Sequence, residues 1–149
     1  MNQDSTDAWI AKLASLHPDL EICPPATASN VSLAEEKLGA IPPELAALYR
    51  ATNGLENRSF RILPVFDEAR TKKTWDSLQR LNDPATTRAL AGDRALLGKF
   101  LVFADIGNGY AMINRSDGRI WFEELNQVDV KETDLTFREF VETMLTNAE

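Results

Sequence analysis

Histidine and cysteine each occur once in this 149-residue chain, as His17 and Cys23. A nucleophile and its base must lie within hydrogen-bond reach of each other. A serine triad here has to use His17, and no Gly-x-Ser-x-Gly elbow accompanies it. His17 precedes Pro18 and is expected on a surface loop. Cys23 precedes Pro24-Pro25 with no histidine placed to activate its thiol, so it is expected to be inert. One cysteine and one histidine do not make a zinc site between them. Glu35-Glu36 and Glu123-Glu124 are paired carboxylates. Sequence neighbours on a helix or strand point different ways, so both pairs read as solvated charges and not as acid/base couples. Gly107-Asn108-Gly109 looks like part of a phosphate loop, but it joins two strand-like segments and opens no helix. Without a helix N-terminus to hold the anion it reads as a turn. Arg70 with Lys72-Lys73 reads as the wet face of a helix. These residues support no named reaction, metal or cofactor, and the chain is expected not to be an enzyme.

Composition points the same way. Net charge is −7, against the cationic footprint of a nucleic-acid binder. The acidity sits in the first and last thirds of the chain and the middle third is mildly basic. An acidic surface suits a basic protein partner, although it also serves plain solubility. No apolar run reaches the roughly 20 residues that span a bilayer, so no membrane association is expected. The segment Met1 to Asp7 lacks the basic flank and apolar stretch of a secretion signal. With a single cysteine, a reducing compartment, the cytoplasm, is the expected location.

The elements that must position these residues follow from periodicity. Trp9, Ile10, Leu13 and Leu16 predict an amphipathic helix over 5–16, and residues 18–30 a connecting loop. Ser32 with Glu35 makes a capping box for a second helix that Gly39 stops. Pro42-Pro43 opens a third helix with Leu45, Leu48, Tyr49 and Thr52 on one face, closed by Asn53-Gly54. Arg61 to Val65 predicts a short strand. Trp75, Leu78 and Leu81 then predict a helical stretch, and Asp83-Pro84 the start of another helix over 84–91. Phe100 to Ala104 is an apolar run typical of a strand buried on both faces. Tyr110–Asn114 and Ile120–Phe122 flank Ser116-Asp117-Gly118, a hairpin signal, and Val128–Val130 predicts a fourth strand. Thr136 and Glu139 cap a last helix with Phe137, Phe140, Val141 and Met144 on its inner face, and Leu135 stapling to Phe140. Helices, then a meander, then a helix predict one α+β domain over 1–149, with a mostly antiparallel sheet packed against helices. Leu45, Leu48, Tyr49, Phe103, Trp121, Phe137 and Phe140 are the expected core.

Several segments, in order, resemble the SUKH superfamily, also called the Smi/Knr family. Ile41 to Gly54 is similar to its proline-opened helix ending in Asn-Gly, preceded by a Leu-Gly lead-in here read as Glu35 to Gly39. Phe100 to Ile113 resembles its second signature, a strand ending in an acidic residue before glycines and an aromatic-bearing strand. Thr136 to Phe140 resembles its closing helix. The likeness spans about 30–145. One position departs: Ala104 stands where the family often has glycine. The resemblance implies a sheet packed on helices, no catalysis and a protein-binding role. Many bacterial members are immunity proteins that neutralise a cognate toxin. The alternative the family offers is a regulatory or scaffold interaction module without a toxin partner.

The partner contact is expected at the turn Asp105 to Tyr110, with Asp105, Asn108 and Tyr110, joined by Glu123 and Glu124. Tyr110 is the aromatic anchor of the reading and the acids steer a basic partner. The simpler reading is that this hairpin only turns the chain.

Overall fold

Two apolar strands joined by a glycine turn set the frame of the protein. In the computed structural model, which describes residues 3–86, 96–124 and 129–147, β4 (Phe100–Asp105) pairs antiparallel with β5 (Gly109–Asn114), and β5 with β6 (Ile120–Glu124). Shorter strands extend the sheet at both sides. These are β1 (Glu21–Ile22), β2 (Leu55–Glu56) and β3 (Arg61–Ile62) on one edge and β7 (Lys131–Glu132) on the other. Among the described residues the sheet has seven strands in sequence order, each antiparallel to its neighbours. The fold is α+β.

The sheet has two covered faces. The first packs against α1 (Gln3–Leu16), α2 (Ala28–Leu38), α3 (Pro43–Ala51) and α7 (Phe137–Asn147). Phe103 meets Phe137 at 5.6 Å and Phe140 at 6.0 Å between ring centroids. Phe140 also meets Phe60, and Phe137 meets Trp9. Such pairs contribute about 0.5–1.5 kcal/mol each beyond the area they bury. Trp9 Nε1 donates to Glu142 at 2.9 Å and Arg138 stacks on the Trp9 ring, tying the first helix to the last. The second face carries Leu63, Phe100, Val102 and Met112, with Leu81, Leu96 and Leu97 packed on it. Those leucines come from α5 (Leu78–Leu81) and α6 (Leu96–Lys99).

Side-chain amides complete the sheet where strands are missing. Asn53 accepts from Val65 N–H at 2.9 Å and donates to Val65 C=O at 3.1 Å. Asn82 does the same for Val102, at 2.8 Å in both directions. All four residues are buried, so leaving these backbone groups bare costs about 1–3 kcal/mol apiece. Tyr49, fully buried on α3, donates its hydroxyl to Leu63 C=O at 2.5 Å. Gly54 follows Asn53 at φ +87°, and a Cβ there would stand 2.6 Å from the Ile62 carbonyl oxygen.

Several expectations are corrected. The second helix begins at Ala28 under a Thr27 cap, not at Ser32. Thr27 accepts from Asn30 N–H, while Glu35 reaches forward to accept from Ile41 N–H. The predicted loop over 18–30 therefore holds β1 and the start of α2. The strand predicted over Arg61 to Val65 stops at Ile62, where Asn53 takes over the pairing of Val65. The helical stretch near Trp75 is a 3-10 turn (Glu68–Arg70), then α4 (Thr71–Thr74) and α5, and Trp75 itself projects outward. Residues 84–86 form a turn, and 87–91 of the helix predicted there lie outside the described residues. The fourth meander strand is Lys131–Glu132; Asp129 and Val130 are not strand, and Val128 lies outside the described residues. Leu16 is exposed although its spacing matches Trp9 and Leu13, because the helix ends there. Trp121 is only partly buried, edge-on to Phe100 at 5.3 Å. The other six expected core residues are buried. The α7 capping box forms as predicted: Thr136 N–H reaches Glu139, and Glu139 N–H reaches the Thr136 hydroxyl.

Two predictions follow from this packing. Asn53→Ala strips both partners from Val65 and is expected to lower stability by about 3 kcal/mol, read as a fall in urea midpoint at unchanged slope. The second concerns pH. Burial pushes the Tyr49 phenol far above its ordinary value. A group whose folded pKa is raised stabilises the fold below its unfolded pKa and loses that contribution as pH rises. The parent's urea midpoint should therefore fall above about pH 10, and more steeply than that of Tyr49→Phe.

Candidate functional site

Register places the expected contact residues on different surfaces. Asp105 pairs with Tyr110, and Tyr110 with Glu123, so these three share one face of the sheet. Glu124 pairs with Gly109 and points to the opposite face, because side chains alternate along a strand. Asn108 stands exposed at the turn between β4 and β5.

The roles of these residues also shift. The Asp105 carboxylate accepts from Gly107 N–H at 2.8 Å, so it organises the turn. Gly109 has no side chain for a reason internal to the fold, since a Cβ would lie 1.8 Å from the Glu123 carbonyl oxygen. That bareness admits the β6 backbone. Glu123, expected as a solvated charge, is buried at 4% exposure. It sits opposite Tyr110 and shares its face with Trp121. Tyr110 and Asp105 are half-buried, as is Glu124.

The row that Asp105, Tyr110 and Glu123 begin runs on across the sheet. Asp105 pairs with Arg61, Arg61 with Glu56, and Glu56 with Glu21. Six strands thus present Glu21, Glu56, Arg61, Asp105, Tyr110 and Glu123 in one transverse line. Exposure rises along it, from buried Glu123 through half-buried members to exposed Glu21. Arg61 holds Glu56 at 3.8 Å and donates to Lys73 C=O at 3.1 Å. Lys73 meets Glu21 at 2.9 Å, and that hydrogen bond lowers the Glu21 pKa. The hairpin signal shows in sequence that β5 and β6 pair, but not their register. A two-residue Asp117-Gly118 turn would set Ile113 opposite Phe122. The loop instead runs from Arg115 to Gly118 and sets Ile113 opposite Ile120 and Tyr110 opposite Glu123. Glu21 and Glu56 carried no such signal, since their strands are two residues long.

The residues set aside in the sequence are placed as follows. His17 is buried at 8% exposure, not on a surface loop. Its amide bonds Leu13 C=O and its carbonyl accepts from Leu20 N–H, so it turns the chain beneath α1. Cys23 is half-buried, and burial, with the nearby Glu21 and Glu56 charges, pushes its thiol up, away from the reactive thiolate. Glu35, also expected as a solvated charge, is half-buried and bonded to Ile41 N–H. Arg70, Lys72 and Lys73 are exposed. Among the described residues no group of three His, Cys, Asp or Glu side chains converges as a metal site, and no described helix is long and apolar enough to cross a membrane.

A separate groove of about 490 Å³ lies where the turn after β5 meets the starts of α3 and α7. Glu44, Asp117, Glu132 and Asp134 line it around Arg119. Arg119 bonds Glu132 at 2.6 Å and lies 3.9 Å from Asp117. These acids face two helix N-termini, where negative charge is stabilised by the helix dipole, which gives them a place in the fold without a ligand. No family model and no curated protein matches this chain.

The contrast between the paired glutamates is measurable. Glu123→Lys puts a charge into a buried position and should destabilise by at least about 3 kcal/mol. Glu124→Lys should cost no more than about 1 kcal/mol. Thermal melts of the two variants decide it; equal melting temperatures would contradict the burial of Glu123.

Proposed function

We propose that this chain is a non-catalytic protein-binding domain that neutralises a cognate bacterial toxin, and that its partner is a basic toxin domain. The observation that supports this reading is the transverse row of Glu21, Glu56, Arg61, Asp105, Tyr110 and Glu123. Five inter-strand steps make it roughly 24 Å long, enough to underlie one side of a standard interface of about 800 Å². Its accessible members are acidic apart from Arg61, and Tyr110 supplies a half-exposed ring at one end. Opposite charge accelerates encounter with a basic domain, while a desolvated aromatic slows release. The resemblance to the SUKH superfamily supports the same assignment, and acidic composition agrees with it.

The test pairs the chain with the toxin domain encoded beside its gene. Asp105→Asn removes the charge while keeping the oxygen that holds Gly107. Tyr110→Ala removes the ring, and Glu56→Lys reverses the accessible part of the row. Tyr110→Ala is expected to cost about 2 kcal/mol or more in affinity. Glu56→Lys should slow association, most at low salt. Calorimetry and stopped-flow binding read these effects. Folded variants that all bind like the parent would place the contact elsewhere, and a parent that leaves the toxin active would remove the immunity reading.

A further inference from the structure

Three places in the chain set an asparagine or aspartate before a glycine: Asn53-Gly54, Asn108-Gly109 and Asp117-Gly118. Such pairs carry chemistry of their own. The glycine nitrogen has no side chain beside it to obstruct attack on the preceding side-chain carbonyl carbon, which closes a five-membered succinimide. The reaction needs a side chain free to turn back onto that nitrogen. The fold removes this freedom at two of the three. Asn53 is buried, with its amide engaged by both backbone groups of Val65 at 2.9 and 3.1 Å. The Gly54 N–H is committed as well, to Thr52 C=O at 2.8 Å. The Asp117 carboxylate accepts from Arg119 N–H at 2.9 Å, and Gly118 N–H donates to Asn114 C=O at 2.8 Å.

Asn108 differs from both. It is exposed, and its side chain makes no hydrogen bond among the described residues. Its neighbours hold the turn instead: Asp105 accepts from Gly107 N–H at 2.8 Å, and the Gly109 carbonyl from Ile106 N–H at 3.0 Å. Packing fixes residue 109 as glycine, since a Cβ would stand 1.8 Å from the Glu123 carbonyl oxygen. The close approach of β6 therefore keeps a reactive pair in an exposed turn. We infer that Asn108 is a site of spontaneous deamidation, while the fold protects Asn53 and Asp117. The Gly109 nitrogen bonds to Asn108 Cγ, and the Cγ–Nδ2 bond breaks. Ammonia leaves, carrying the proton of the Gly109 N–H. Water then adds to one or the other succinimide carbonyl, giving aspartate or isoaspartate. Either product adds one negative charge to a chain already at −7. The charge falls on the turn between Asp105 and Tyr110, and isoaspartate also lengthens the main chain there by a methylene. The modification does not depend on the toxin reading.

The test ages the folded chain in mildly alkaline buffer and follows it by peptide mass spectrometry, beside a sample unfolded in guanidinium chloride. In the folded chain the change from amide to acid should appear at Asn108 at least about tenfold faster than at Asn53, which must first break two buried hydrogen bonds. Unfolding should bring the two asparagines to similar rates and open Asp117 to isomerisation by the same attack. Aspartate and isoaspartate should both be found at position 108, and Asn108→Gln should remove them. The Asn108 side chain is exposed and unbonded, so that variant is expected to melt like the parent. An Asn108 that stays amidated in the folded chain would overturn the inference. So would equal folded-state rates at Asn53 and Asn108, or isomerisation of Asp117 that outpaces deamidation of Asn108.

Discussion

The architecture turns on Asn53. β3 is two residues long, and a chain that short does not hold a sheet edge by its own ladder. Asn53 engages both backbone groups of Val65, just beyond β3, and so prolongs the pairing with a side chain in place of a strand. Gly54 then lets the chain pass against the Ile62 carbonyl where any Cβ would collide. On the preceding helix, Tyr49 bonds Leu63 between these two points. Helix α3 and the outer half of the sheet are therefore fixed to each other by directional bonds, over and above apolar burial. Hydrophobic packing alone tolerates sliding; these bonds set the register.

That register is what makes the candidate surface a line. Glu56, Arg61 and Asp105 align with Tyr110 only because β2 and β3 sit where Asn53 and Gly54 put them. A slip of one residue would send the whole outer row to the opposite face, which α1, α2, α3 and α7 cover. The acids at the exposed end are held by Arg61 and Lys73, which limits mutual repulsion. A basic partner competes for carboxylates already ordered, so less side-chain freedom is lost on contact.

The parts legible in sequence are those with a local signal. Helix α7 announces itself through Thr136, Glu139 and its phenylalanines, and β4 through its apolar run. Helix α2 misled because Ser32 and Glu35 have the spacing of a capping box, while Thr27, five residues earlier, holds the amide. Two-residue strands cannot display a period, so β1 and β2 were invisible. Asn53-Gly54 reads as a helix stop, which it is, but its grip on Val65 depends on a segment twelve residues away. Glu123 failed for a related reason. Its charge suggests solvent, and only the register sets it opposite Tyr110, on the face that also carries Trp121.

The contact between the first and last helices bears on how the chain is made. Trp9 and Glu142 are separated by 133 positions. At roughly 5–20 residues per second of synthesis, about 7 to 27 seconds pass between the appearance of one and of the other. Over that interval α1 can pack on α3, but the side of Trp9 that Phe137 and Arg138 cover stays bare. The nascent protein thus carries an apolar face beside the ribosome until its final helix arrives. The aromatic cluster of Phe103, Phe137 and Phe140 closes only then.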